Sequence, residues 1–349
     1  MKILVIGNLG YIGPIVCKYL KTTLSGCEIV GLDTGYFSSC ITQSGRLGDT
    51  YCDQQIFKDI REVDISICNS FDTLVLLSAI SNDPKSNNFE KVTDEINHLA
   101  VAKLVSSFGA LSDKRIVFAS SCSIYGAAGV NSRKESDNVN PLTAYARSKV
   151  AVEKVLENVQ FAPGTMATSL RFATACGMSD RLRLDLVLND FVASAIVNKK
   201  VVVLGNGSPW RPLINVKDMA RAIEWAVSRD YKEKSNYQAV NIGSNDWNYT
   251  LRQLAEVVVE KVGNAELQLN SITQPDRRSY KVNFDLFEKI APDHQPQYSL
   301  DETISELIDG ISTIRHLIGE DFRSSNFIRL NTLKSHLNTN RLSSQLRWR

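Results

Sequence analysis

Lys2-Ile3-Leu4-Val5-Ile6-Gly7-Asn8-Leu9-Gly10-Tyr11-Ile12-Gly13 stands almost at the start of the chain. The apolar run Ile3 to Ile6 reads as a short strand buried on both faces. Its glycines follow the spacing Gly-x-x-Gly-x-x-Gly rather than the commoner Gly-x-Gly-x-x-Gly, and a helical pattern runs on to about Thr23. A strand, a glycine-rich turn and a helix N-terminus make a pyrophosphate site: glycine lets backbone approach the anion, and free amides with the helix dipole favour its charge. Pro14 falls in the first helical turn, where its missing N–H costs nothing.

Working outward, a second strand, Glu28 to Leu32, ends in Asp33, twenty residues past Gly13. A carboxylate there accepts hydrogen bonds from both hydroxyls of an adenosine ribose and repels a 2'-phosphate. Asp59-Ile60-Arg61 follows a further strand. Thr73 to Leu77 is a buried strand leading into Ser78-Ala79-Ile80, whose small side chains let a flat cofactor lie close. A helix from about Phe89 to Phe108 carries Asn97, and a fifth strand, Arg115 to Ala119, runs into Ser120-Ser121. This alternation predicts an α/β fold with a doubly wound parallel sheet of Rossmann type, whose ligands sit beyond the strand C-terminal ends. Gly7, Asp33, Ala79 and Ser121 all fall at such ends.

The chemistry centres on Thr143-Ala144-Tyr145-Ala146-Arg147-Ser148-Lys149 and on Ser120-Ser121-Cys122-Ser123-Ile124-Tyr125-Gly126 before it. Apolar residues at helical spacing (Ala146, Val150, Val152, Val155, Leu156) put Tyr145 and Lys149 on one face, four residues apart. A nearby ammonium favours phenolate and draws a tyrosine pKa down from about 10, toward proton exchange with a substrate hydroxyl. Such a pair also occurs on solvated helix surfaces. The glycine turn, Asp33 and the serine-rich strand end give it a catalytic context.

Composition narrows the class. The chain has 349 residues, 43% apolar and 22% charged, with a formal charge of +2, ordinary for a soluble globular enzyme and without a basic field for nucleic acid. The last 39 residues hold seven Lys/Arg against two acids, or +5, and read as a solvated or subunit-packing segment. Seven cysteines are scattered without a Cys-x-x-Cys, and four histidines are unpaired, so a reducing compartment without bound metal is expected. No apolar run suits a signal peptide or a membrane span, pointing to the cytoplasm.

Past the tyrosine helix, Thr168 to Phe172 reads as a strand, and Gly177 to Leu186 as a loop carrying Arg181 and Arg183. Asn189 is expected to open an apolar helix, and Gly205 to Pro212 to form a turn-rich loop. Arg211, between Trp210 and Pro212, is the arginine best placed to hold a phosphate.

Taken together the residues resemble the extended short-chain dehydrogenase/reductase family, in its NAD-dependent epimerase/dehydratase branch acting on nucleotide sugars. The resemblance spans residues 1 to about 310 and rests on Gly7/Gly10/Gly13, Asp33, Asp59-Ile60-Arg61, Ser121 to Gly126, Tyr145 with Lys149, Leu170-Arg171-Phe172, Asn189, Trp210-Arg211-Pro212 with Asp218, and Asn241-Ile242-Gly243. It implies an NAD-binding domain over 1–175 with parts of 200–245 returning to it, a substrate lobe over 176–310 and a helical tail over 311–349. It implies Tyr145 as acid/base, Lys149 as the residue that orients the nicotinamide ribose, and Ser121 as hydrogen-bond partner of the reacting oxygen. Gly7, Gly10, Tyr11, Ile12, Gly13, Asp33, Asp59, Ile60, Ser78, Ala79, Ile80 and Phe172 would line the cofactor. Ser123, Asn189, Arg211 and Arg277 or Arg278 would meet a nucleotide-diphosphate sugar.

Two departures stand out. Leu76 replaces a histidine common in the family, and the tail has no family role. Family dehydratases place Asp and Glu after the catalytic residue, where this chain has Cys122 and Ser123; Cys122 is expected to be a packing thiol. The expected activity is therefore C4 epimerisation by a homodimer. A 4-ketoreductase, dehydratase or decarboxylase is the alternative within the family, and an NAD-binding sensor or scaffold the alternative of another class.

Overall fold

The computed structural model describes residues 1–42, 51–81, 89–129, 131–230, 236–270 and 277–349. Its strands in chain order are β1 (Lys2–Ile6), β2 (Glu28–Asp33), β3 (Gln54–Phe57), β4 (Thr73–Leu76), β5 (Arg115–Ser121), β6 (Met166–Phe172), β7 (Thr174–Cys176), β8 (Lys200–Leu204), β9 (Trp210–Asn215), β10 (Tyr237–Ile242), β11 (Asn248–Thr250) and β12 (Glu266–Asn270). Seven form one sheet in the order β10-β6-β5-β4-β1-β2-β3. Every pairing in it is parallel.

Alternation of side chains across the pleat explains why these strands are apolar throughout. Ile3, Val5, Val75 and Val117 join the core on one face, while Leu4, Ile6, Leu74, Leu76, Ile116 and Phe118 join the core on the other. Both faces are covered, so no polar alternation survives. Leu76, 1% exposed, belongs to the second of these cores. Strand order reverses between β1 and β4, and a doubly wound sheet opens a ligand crevice at that point.

Two smaller sheets, β11-β9-β7 and β12-β8, lie to the C-terminal side of the chain. Where a loop was expected at Gly205 to Pro212, Trp210–Asn215 is a strand. Proline is tolerated in this middle strand because Pro212 pairs only with Asn248 of β11, while pairing to β7 begins one residue later at Leu213. The helix expected to open at Asn189 begins at Val187 and runs to Asn198.

The tail departs furthest from expectation. Rather than lying in solvent, it folds back on its own chain: Leu333, Leu342 and Leu346 are each at most 2% exposed and pack into the core beside β1 and β2. Among the described residues no helix is long and apolar enough to cross a membrane, no cluster could hold a metal ion, and the seven cysteines are free thiols.

Candidate active site

One cavity of about 490 Å³ opens at the strand ends. Its floor is the glycine turn. Gly7 has φ +93°, and a Cβ there would lie 2.5 Å from the Ser78 amide nitrogen. A Cβ on Gly13 would lie 2.2 Å from the Asn8 carbonyl oxygen, so both positions demand glycine for the turn to close. The helix Gly13–Thr23 then begins without any side-chain cap, leaving first-turn amides for a ligand.

Asp33 ends β2 at the cavity edge. Its Oδ1 accepts from the Gly35 amide at 2.7 Å and its Oδ2 from the Leu9 amide at 3.2 Å. Burial pushes its carboxyl above the ordinary range, and those two amides oppose the shift. A diol donating to it would hold the charged form further. Lining the same cavity are Tyr11, Ile12, Asp59, Ile60, Ser78, Ala79, Ile80 and Phe172. Asp59 is fixed by Arg61, whose Nε donates to it at 3.0 Å.

The strand end at Ile80 is pinned in an unusual way. The long helix containing Asn97 is interrupted by a π-helical turn, Glu95–Leu99, a device that re-aims side chains. Asn97 Oδ1 accepts from the Ile80 amide at 2.8 Å, and its Nδ2 donates to the Ile80 carbonyl at 3.0 Å and to Ser148 Oγ at 3.3 Å. Ser148 lies on the tyrosine helix, so the segment at Ile80 and that helix share one clamp.

That helix, Ala144–Asn158, starts at Thr143, whose side chain accepts from the Ala146 amide. Ser121, Tyr145 and Lys149 all line the cavity. Lys149 is 2% exposed; its Nζ donates to the Ala119 carbonyl at 2.6 Å and lies 5.4 Å from the Tyr145 ring centre. Burial pushes the Lys149 ammonium down to about 7, with Glu153 opposing. Glu153, one turn on, pairs with Arg171 of β6 at 2.7 Å and accepts from Ser120 Oγ at 2.5 Å. This buried network locks the helix to β5 and β6.

Cys122 points away from the cavity. Its thiol donates to the Arg171 carbonyl at 3.0 Å, and burial pushes it well above the ordinary thiol range. Ser123 faces the cavity with a buried Oγ that has no partner among the described residues, as does Ser78. Orphaned buried hydroxyls at a cavity surface call for a polar ligand.

On the opposite side Arg211 is 5% exposed, donates to the Trp210 carbonyl at 2.8 Å and lies 5.5 Å from the Tyr280 ring centre. Arg278 lines the cavity with it. Two residues expected here lie elsewhere. Asn189 is fully buried, accepting from the Gly177 amide at 3.0 Å and donating to the Arg183 carbonyl at 2.9 Å, so it ties down the loop above the glycine turn. Arg277 is exposed and outside the lining. Sequence reasoning also left roles unassigned. Arg183 pairs with Asp185 at 2.9 Å and donates to Ser81 Oγ at 2.8 Å, bridging the crevice. Asp190, pushed up to about 6 by burial against the pull of Arg323, and Arg329 of the tail complete the lining.

A profile of the NAD dependent epimerase/dehydratase family matches residues 3–243. The chain belongs to that family. It is 24% identical over 335 residues to Protein CapI of Staphylococcus aureus, covering 88% of this chain and 98% of that one. Among solved structures it resembles UDP-glucuronic acid 4-epimerase from Bacillus cereus (TM-score 0.74, 20% identity, covering 90% of this chain and 100% of that one). It also resembles the NAD dependent NDP-hexosamine 5,6-dehydratase TunA (TM-score 0.75, 18% identity, 89% and 98%). The protein is an enzyme of that family, and its cofactor is NAD. The residues present fit that cofactor: a glycine cradle a Cβ would block, an uncapped helix start, a buried carboxylate at the end of β2 and, among the described residues, unpartnered hydroxyls at its edge.

Proposed function

We propose that the enzyme inverts C4 of a nucleotide-diphosphate hexose by transient oxidation to the 4-keto sugar. The observation that supports this best is the set Ser121, Tyr145 and Lys149 together on the cavity surface, with a buried thiol at Cys122 where dehydration needs an acid. Tyr145 takes the proton from the C4 hydroxyl and returns it after the sugar turns its other face. Ser121, whose Oγ already accepts from the Ser123 amide at 3.1 Å, orients by donating its own proton to the same sugar oxygen. Lys149 anchors the nicotinamide ribose and supplies the positive field that lowers the cost of phenolate. NAD held there would supply the hydride acceptor and donor for this oxidation and its reversal.

Residues 1–175, with β10, form the cofactor half in this reading, and 176–310 the sugar lobe. Arg211 and Arg278 face the diphosphate, where paired guanidinium forks suit phosphate oxygens. Ser123 contributes its free hydroxyl to the hexose. Seven free thiols accord with work in the cytoplasm. The test incubates purified enzyme with UDP-, GDP-, CDP- and dTDP-hexoses and no added cofactor. C4-inverted product supports the reading; activity confined to keto-sugars with added NADH or NADPH overturns it.

A further inference from the structure

Arg329 opens the helix Arg329–Asn338 of the C-terminal tail, far in sequence from the family motifs. It is 2% exposed and lines the active-site cavity. Its Nη2 donates to the Arg181 carbonyl at 2.6 Å, and its guanidinium carbon lies 4.6 Å from the centre of the Phe37 ring. The Cys40 thiol lies beside the guanidinium, but among the described residues Nη1 is buried with no hydrogen-bond partner. An unmatched N–H on a buried cation is expensive, because such groups keep hydrogen bonds to water unless the protein or a ligand replaces them. The neighbouring Arg183 differs, since Asp185 meets it with both carboxylate oxygens, at 2.9 and 3.0 Å.

The tail is also built into the frame of the adenosine end. Trp348 Nε1 donates to the Thr34 carbonyl at 2.7 Å, and His336 Nε2 lies 2.9 Å from the Tyr36 carbonyl oxygen, both just past Asp33. Arg61, the partner of Asp59, donates to the Gln345 carbonyl at 2.9 Å and to the Leu346 carbonyl at 3.2 Å. Thr34, Tyr36 and Asp59 all line the cavity. One segment therefore braces both rims of the pocket that begins at Asp33 and carries a buried cation into it.

We propose that Arg329 is a cofactor-binding residue supplied by the tail, giving its Nη1–H to a phosphate oxygen of the ADP half of NAD. Glycine-turn amides would meet the pyrophosphate from the end of β1, and Arg329 would reach it from beside Phe37. The proposal holds whichever reaction the sugar site performs, because its readout is binding alone.

Calorimetry on the full chain decides it, with NAD, ADP and adenosine as ligands and wild type, Arg329→Met and Arg329→Lys as proteins. A charge-assisted hydrogen bond predicts that Arg329→Met weakens NAD and ADP by about ten- to a hundredfold and leaves adenosine unchanged, with Arg329→Lys recovering part. Unchanged ADP affinity overturns the proposal. So does an equal loss for adenosine, which would mean that Arg329 only supports Phe37. Should Arg329→Met not fold, hydrogen exchange on the wild-type chain serves. Amides 329–338 protected by ADP but not by adenosine support the contact, and protection equal for the two ligands, or none, overturns it.

Discussion

The tyrosine helix and the C-terminal tail meet the same cavity, yet they reach it by different physics. Tyr145 and Lys149 are set by spacing on one helix, capped locally by Thr143 and locked by Glu153 to Arg171, eighteen residues on. Arg329 is held by a backbone carbonyl 148 residues away and by an aromatic face from another part of the chain. Chemistry that depends on mutual geometry sits on a rigid local frame. A binding contact, which needs only a charge delivered to the right volume, can come from a segment docked by long-range hydrogen bonds.

That contrast breaks most visibly at Tyr145. Phenylalanine keeps the ring and removes the proton, so turnover should fall by about two to four orders of magnitude. Calorimetric NAD affinity and the melting temperature should hold. Arg329→Met should do the reverse, losing affinity for the cofactor while saturated turnover survives. If both variants lost turnover and affinity together, the division between the two regions would not stand.

Asp33 sharpens the comparison, because it belongs to a local motif but is proposed to bind rather than react. Asp33→Ala removes an acceptor held by two backbone amides and should weaken NAD by about ten- to a hundredfold. NADP should weaken less, since the variant also loses a like-charge repulsion. Titration of both dinucleotides checks this, and equal losses would remove Asp33 from the ribose.

The smallest effect is a pH slope. Folding lowers Lys149 from its usual 10.5 to about 7, so between those values the unfolded chain binds more protons and stability rises with pH. The contribution is fully present above about 10.5 and is lost as pH falls through about 7. Melting temperatures of the cofactor-free protein should therefore rise relative to Lys149→Met from pH 7 to pH 10. A constant difference between the two proteins would place the ammonium in contact with water.

Local patterns made the sheet, the glycine turn, Asp33 and the Ser121, Tyr145, Lys149 set legible, because each depends on neighbours a few residues away. β9 was hidden by Pro212, whose single-sided pairing only the assembled sheet reveals. Asn189 matched a family spacing, but its amide is taken up by Gly177 and Arg183 in the loop it supports. Arg329 carried no signal, since its surroundings come from Phe37 and Arg181. The tail's basic composition suggested solvent, whereas its buried apolar residues, Phe322, Leu333, Leu342 and Leu346 among them, are what dock it.

The central claim is a transient oxidation at C4 with the same hydrogen returned. A nucleotide hexose deuterated at C4, incubated with the enzyme in ordinary water without added cofactor, tests it by mass spectrometry and NMR. The account predicts C4-inverted product that keeps its deuterium. Inverted product with the label lost to solvent, or conversion only after reduced nicotinamide is supplied, would contradict it.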